Sequence, residues 1–131
     1  MMLLDTSGLL ALLDVREPLH QKARDKYAKA PKRVTHGFVL AELVALANAR
    51  GVPPGPVLQF VMSLIANPDI DTIWPDQSLT SQACALLMTR QGRGYSLCDA
   101  VSFVLMHAMD LRESLSTDQH FEVEGFKRLL V

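Results

Sequence analysis

The sequence has no apolar run long enough to cross a membrane. Its longest, Ala100 to Met109, falls well short of the ~20 residues a spanning helix needs and contains Ser102 and His107. The start lacks the basic region and small-residue cleavage site of an export signal, and its apolar stretch is broken by Asp14, Arg16 and Glu17. A cytoplasmic protein without membrane contact is expected. Cysteine is scarce: Cys84 and Cys98 share no metal-type spacing and have no basic neighbour in the sequence, which argues against a disulfide scaffold, a zinc knuckle and a thiol nucleophile. Both are expected as reduced core thiols, since each lies in an apolar helical context. Aromatics make up only 6% of the chain, so the core is aliphatic. An excess of one charge is also missing. Lys and Arg total 13 against 14 for Asp and Glu, so any attraction to nucleic acid must come from a local patch. No repeat or low-complexity tract divides the 131 residues, and one domain over 1–131 is expected.

What is present is an alternation of strand and helix patterns. Met2-Leu3-Leu4 is a short apolar run, Asp5-Thr6-Ser7-Gly8 a turn with capping residues, and Leu9, Leu10, Leu12 and Leu13 recur at helical spacing. An exposed amphipathic helix follows, with Leu19, Ala23 and Tyr27 as its stripe, in the basic stretch Lys22 to Arg33. A strand over 32–35, an apolar helix from Gly37 to about Ala49, and a Gly- and Pro-rich turn over 50–56 come next. Then come a helix over 57–65, a strand Ile70 to Trp74 with Ile70, Thr72 and Trp74 alternating against Asp71 and Ile73, and a helix from Pro75-Asp76 to about Gln91. Gly92 to Tyr95 is a loop, and Ser96 opens the most apolar helix. A strand over 112–117, a turn at Gln119-His120-Phe121 and a last strand over 126–131 complete the chain. Such alternation calls for an α/β fold in three layers, α/β/α, around a mostly parallel sheet.

Four acids stand out. Asp5 and Asp118 follow apolar strand ends, where open parallel sheets gather their ligands, although Asp5 equally suits a helix cap. Glu42 has Phe38, Val39, Ala45 and Leu46 one turn away on either side, which predicts a buried carboxylate in need of a cation, a metal or a distant Arg or Lys. Asp99 forms a capping-box pattern with Ser96 and also shares a face with Ser102, Phe103 and Met106. One arrangement accounts for all four, a cluster at the strand-end crevice, where mutual repulsion is relieved by a hard divalent cation with oxygen ligands. Mg²⁺ or Mn²⁺ suits such a set; zinc lacks a spaced His-Cys set. None of the four histidines is placed by the sequence as a general base.

The order Asp-Thr-Ser at the first strand end, a lone Glu in an apolar helix, SLCDAVSFVLM, and STDQHF followed by Gly-Phe resembles the PIN-domain ribonucleases, in particular the VapC-like toxins of bacterial toxin–antitoxin pairs. The resemblance runs from Met2 to about Leu130. It implies a PIN-like α/β/α fold, a divalent-metal site and hydrolysis of RNA phosphodiesters. The four family acids match Asp5, Glu42, Asp99 and Asp118, which carry the catalytic and metal-binding roles. The hydroxyl beside the last acid matches Thr117, with Thr6 or Ser7 orienting the site. Some members carry a further acid soon after the third; here Ala100-Val101-Ser102-Phe103 occupy that stretch. RNA, a small antitoxin protein and a second copy of the chain are the implied or expected partners. The dimer is expected because the helices over 38–49 and 97–109 are more apolar than one sheet needs. Arg90, Arg93 and the Lys22–Arg33 stretch are candidates for the RNA backbone.

Two other readings compete. A phospho-receiver signalling domain has similar length and layering but needs an acidic pair after the first strand, where this chain has only Asp5. A haloacid-dehalogenase-type phosphatase needs Asp-x-Asp-x-Thr, and position 7 is Ser. A catalytically silent PIN-fold RNA-binding module is the third alternative, and the intact set of acids argues against it.

Overall fold

The structure, a computed structural model, describes all of residues 1–131. Its elements are β1 (Met2–Leu4), α1 (Thr6–Leu13), α2 (His20–Lys29), β2 (Arg33–His36), α3 (Gly37–Ala49), α4 (Pro54–Ala66), β3 (Ile70–Ile73), α5 (Gln77–Thr89), α6 (Leu97–Ala108), β4 (Glu113–Leu115), α7 (His120–Val123) and β5 (Lys127–Arg128). The five strands form one sheet in the order β3-β2-β1-β4-β5, every neighbouring pair parallel. Successive residues of β1 point to opposite faces. Leu4 therefore joins Leu9, Leu10, Leu40, Leu43 and Leu64 on the α1–α4 side, while Leu3 joins Val34, Phe103, Met106 and Phe121 on the α6–α7 side. Helix α5 covers α6 through a small cluster of Ala83, Ala100, Val101 and Leu105. The expected three-layer α/β/α arrangement is the one observed.

The strand order reverses between β1 and β4. That is the switch point at which open α/β sheets leave a crevice beyond the strand carboxyl ends. Leu4 pairs with Leu115, so the next residues, Asp5 and Ser116, emerge side by side. Gly8 lets α1 start hard against β4: a Cβ there would lie 1.9 Å from the Leu115 carbonyl oxygen.

Several local expectations are corrected. β3 stops at Ile73, paired with His36, because β2 ends there and leaves Trp74 no partner; its ring lies exposed over Gly37. The expected turn after Gln119 is the single-turn helix α7. The last strand shrinks to Lys127–Arg128, since Leu129 and Leu130 both enter the core instead of alternating. Cys84 is exposed; only Cys98 is a core thiol. The apolar surplus of α6 is used within the chain, with Cys98 to Phe103, Leu105 and Met106 buried. It therefore gives no support to a dimer.

Candidate metal centre

Asp5 occupies the N-cap position of α1 but makes no side-chain cap bond. Its carboxylate turns instead to the neighbouring strand end, where Oδ2 accepts a 2.7 Å hydrogen bond from the Ser116 hydroxyl. Ser116 Oγ in turn accepts from the Asp118 N–H at 2.9 Å and lies 3.3 Å from Ser7 Oγ. Ser7 Oγ also accepts from the Thr117 N–H at 2.9 Å. Ser116 and Ser7 therefore stitch the two strand ends together. Thr117 contributes only backbone to this network; its side chain is exposed. Thr6 Oγ1 is buried without a partner, a donor left free beside Asp5.

Asp99 makes both bonds of the capping box, accepting from the Ser96 N–H while its own N–H donates to Ser96 Oγ, each at 3.0 Å. The cap fixes the carboxylate without consuming it. Asp99 Oδ2 also accepts from His120 Nδ1 at 3.0 Å, and that nitrogen lies 3.4 Å from Asp118 Oδ1. One ligand atom from each of Asp99, Asp118 and His120 falls within 4.8 Å of the others. Capping and inward-facing readings of Asp99 thus hold together.

Asp5 reports the electrostatics. Burial is the main cause that lifts its pKa from 3.8 to about 7; the Ser116 hydroxyl and the Thr6 N–H pull it down, and the charges of Asp99 and Asp118 push it up further. Those repulsions place the three carboxylates in one field. Glu42 is not buried: its side chain is exposed, so that expectation is corrected. Of its apolar neighbours only Val39 is fully covered, and the buried stripe of α3 runs through Val39, Leu40, Leu43 and Ala47. Glu42 instead stands at the crevice wall. Burial first, then Glu42, Asp5 and Asp99, push the Cys98 thiol far up, so three carboxylates act on one sulfur that stays neutral. Cys98 is no thiolate nucleophile.

The donor set fits a hard divalent cation: carboxylates that repel one another and one imidazole converge at a strand-end crevice. The sequence reading missed Ser116 and His120. A strand register of Asp5 beside Ser116 would have found the first; the second lies in a helical turn too short to leave a periodic signal.

Arg90 and Arg93 both pair with Glu124, which follows α7. The basic stretch is used differently. Lys32 pairs with Asp71, and Arg33 lies over the Tyr27 ring at the start of β2, the sheet edge opposite the acids.

Comparison with known proteins places this geometry. The chain is 29% identical over 127 residues to the 23S rRNA-specific endonuclease VapC20 of Mycobacterium tuberculosis, in both strain CDC 1551 / Oshkosh and strain ATCC 25618 / H37Rv, covering 96% of this chain and 95% of the relative. The crystal structure of Mycobacterium tuberculosis VapC20, a sarcin-ricin loop cleaving toxin, superposes with a TM-score of 0.87 at 25% identity, covering 96% of each chain. The profile of the PIN domain matches residues 2–126, and with that match over nearly its whole length the chain belongs to the PIN-domain family.

Proposed function

We propose that the protein is an endoribonuclease that hydrolyses RNA phosphodiester bonds with a divalent cation, Mg²⁺ or Mn²⁺, and that it acts as a single domain over 1–131. The observation that carries this is the convergence of Asp5, Asp99, Asp118 and His120 on one crevice, with Glu42 at its wall. Asp5, Glu42, Asp99 and Asp118 would hold the cation. When bound, it supplies Lewis acidity toward water and phosphoryl oxygen and offsets the charge of the transition state.

The chain's own groups do the rest. Ser116 fixes the Asp5 carboxylate toward the crevice, and Ser7 fixes Ser116. Ser96 holds Asp99 in one rotamer, while His120 bridges Asp99 and Asp118 and keeps their oxygens together. Thr6, next to Asp5 at the start of α1, would support the site through its N–H, which holds the Asp5 carboxylate. Arg93, with one bond to Glu124 and 44% of its side chain exposed, would meet the RNA backbone, and Arg90, which shares that carboxylate, would support it. Ribosomal RNA is the first substrate to test, because VapC20 is a 23S rRNA-specific endonuclease.

As the toxin of a toxin–antitoxin pair, the protein would act in the cytoplasm and be held by a small antitoxin. A groove of about 710 Å³ between α1, α2 and α4, lined by apolar Leu12, Tyr27 and Phe60 and by polar Arg24, Asp25 and Asn67, offers a mixed seat for it. Leu58, Met62 and Ile65 form an exposed apolar stripe on α4 that would suit a second copy. No helix is long and apolar enough to cross a membrane.

The test is cleavage of a mixed cellular RNA pool with Mn²⁺, with and without chelator, by the parent and by Asp99→Asn. Cleavage by the parent that chelator stops, and that the variant loses by about 100-fold or more, is the expected result. An Asp99→Asn protein as active as the parent would remove Asp99 from the site. A parent with Mn²⁺ that leaves all RNA intact would favour the silent RNA-binding module.

A further inference from the structure

Glu124 follows α7 and is not among the acids that face the crevice. Its side chain is only 3% exposed. A carboxylate buried that deeply must be paired, and this one is paired several times over. Arg90 grips it as a fork, Nε to Oε1 at 3.1 Å and Nη2 to Oε2 at 3.2 Å. Arg93 Nη1 donates to Oε1 at 3.2 Å, the Tyr95 hydroxyl to the same oxygen at 3.1 Å, and His107 Nε2 lies 3.3 Å from Oε2. Burial alone would raise the Glu124 pKa, but the bonds from Arg90, His107 and Tyr95 outweigh it, and the carboxyl is held below its ordinary value.

Three of those donors lie on the segment that connects α5 to α6. Gly92 and Gly94 within it have φ of 89° and 75°, and neither has a side chain to pack. The path of the loop is therefore set by the anchors within it, Arg90, Arg93 and Tyr95. Tyr95 then reaches the site. Its ring meets Phe103 edge-on at 4.9 Å and His120 at 5.2 Å, and Gly94 runs beside His120 Nε2. His120 is the residue whose Nδ1 touches Asp99 and approaches Asp118. Two residues, Tyr95 and His120, thus link Glu124 to the acids.

We propose that Glu124 is a positioning residue of the cleavage site: it fixes the Arg90–Tyr95 loop so that Tyr95 holds the His120 ring against Asp99 and Asp118. The same carboxylate keeps two guanidiniums against one negative charge, which leaves Arg93 able to meet a phosphate. This inference rests on the ribonuclease reading above. A purely structural Glu124 would stabilise the fold without changing the rate of folded molecules.

The experiment measures kcat and KM for an RNA oligonucleotide with Mn²⁺, for the parent, Glu124→Gln, Tyr95→Phe and Glu17→Gln, at a temperature where circular dichroism shows each protein folded. Glu17→Gln breaks the Glu17–Arg50 pair beyond the far end of α1 and serves as the control, expected to match the parent. Glu124→Gln is expected to lower kcat about tenfold with KM no higher, because a displaced group slows the chemistry while the two arginines lose a negative charge. Tyr95→Phe keeps the ring and every charge, and is expected to lower kcat about threefold with unchanged KM. If Glu124→Gln does not fold, Tyr95→Phe decides alone. Values of kcat within about twofold of the parent, or a change confined to KM, would overturn the positioning role while leaving the nuclease reading intact. A parent without activity overturns both.

Discussion

Asp5 and His36 carry opposite demands on pH, and each can be read from where it sits. Burial first, and then Asp99 and Asp118, lift Asp5 to about 7 against the pull of Ser116 and Thr6. The folded state therefore keeps a proton that the unfolded chain gives up above pH 3.8, and metal-free stability falls as pH rises from about 4 to about 7. His36 is fully buried with Nε2 on Ser102 Oγ at 2.9 Å and Nδ1 unpartnered, and burial lowers it from 6.5 to about 4. There the unfolded chain takes the proton first, and stability falls as pH drops from 6.5 to about 4. Over the shared range the two slopes, each about 1.4 kcal/mol per pH unit, oppose one another. In chelator, Asp5→Asn is expected to unmask His36: its melting temperature should drop on acidification through that range more steeply than the parent's. Parallel profiles in circular dichroism melts would contradict this. The variant should also melt higher than the parent near pH 8, where the lifted Asp5 is charged and costs the parent stability. The same comparison shows what the sequence could not convey about Glu42. Apolar neighbours one turn away suggested a buried acid, but they mark composition, not which arc of α3 meets the sheet. Only the packing direction of α3 decides that a residue between two buried positions faces the crevice.

At the scale of elements, the site depends on the closeness of β1, β4 and the first turn of α1. Gly8 makes that closeness possible, and Gly8→Ala has no room: the new carbon would overlap the Leu115 carbonyl, which is backbone and cannot rotate away. The substitution is expected to cost about 3 kcal/mol, visible as a lower urea midpoint. It should also part Ser7 from Ser116 and reduce cleavage in the molecules that remain folded. An unchanged midpoint would mean that α1 can shift freely. The long helices and the buried strand β1 were legible in the sequence because apolar periodicity over several turns is a strong signal. Short elements were not. α7 is one turn, too brief to show a period, and Trp74 read as part of the strand only because the alternation was continued past the end of its partner strand. Ser116 was hidden for a related reason, since its role follows from the pairing of Leu4 with Leu115, a fact of register between distant segments.

Across the whole molecule, a net charge of −1 leaves no broad attraction to RNA, so binding must rest on a local patch, and the proposed one is Arg90 and Arg93, which share Glu124. Asp5, Asp99 and Asp118 meet at the switch point of a parallel sheet with Glu42 at its wall, and the charges of Asp99 and Asp118 on the buried Asp5 make the metal-free fold less stable than it could be. A cation that binds only the folded chain stabilises it by about 2.7 kcal/mol at a concentration 100 times its dissociation constant. The melting temperature should therefore rise with Mn²⁺ and return with chelator. The most direct measurement is calorimetric titration of Mn²⁺ into the parent and into Asp99→Asn, both shown folded. Saturable binding by the parent, weakened about tenfold or more in the variant, is predicted; equal binding by the two proteins, or none by either, would contradict the claim that these acids form one metal centre.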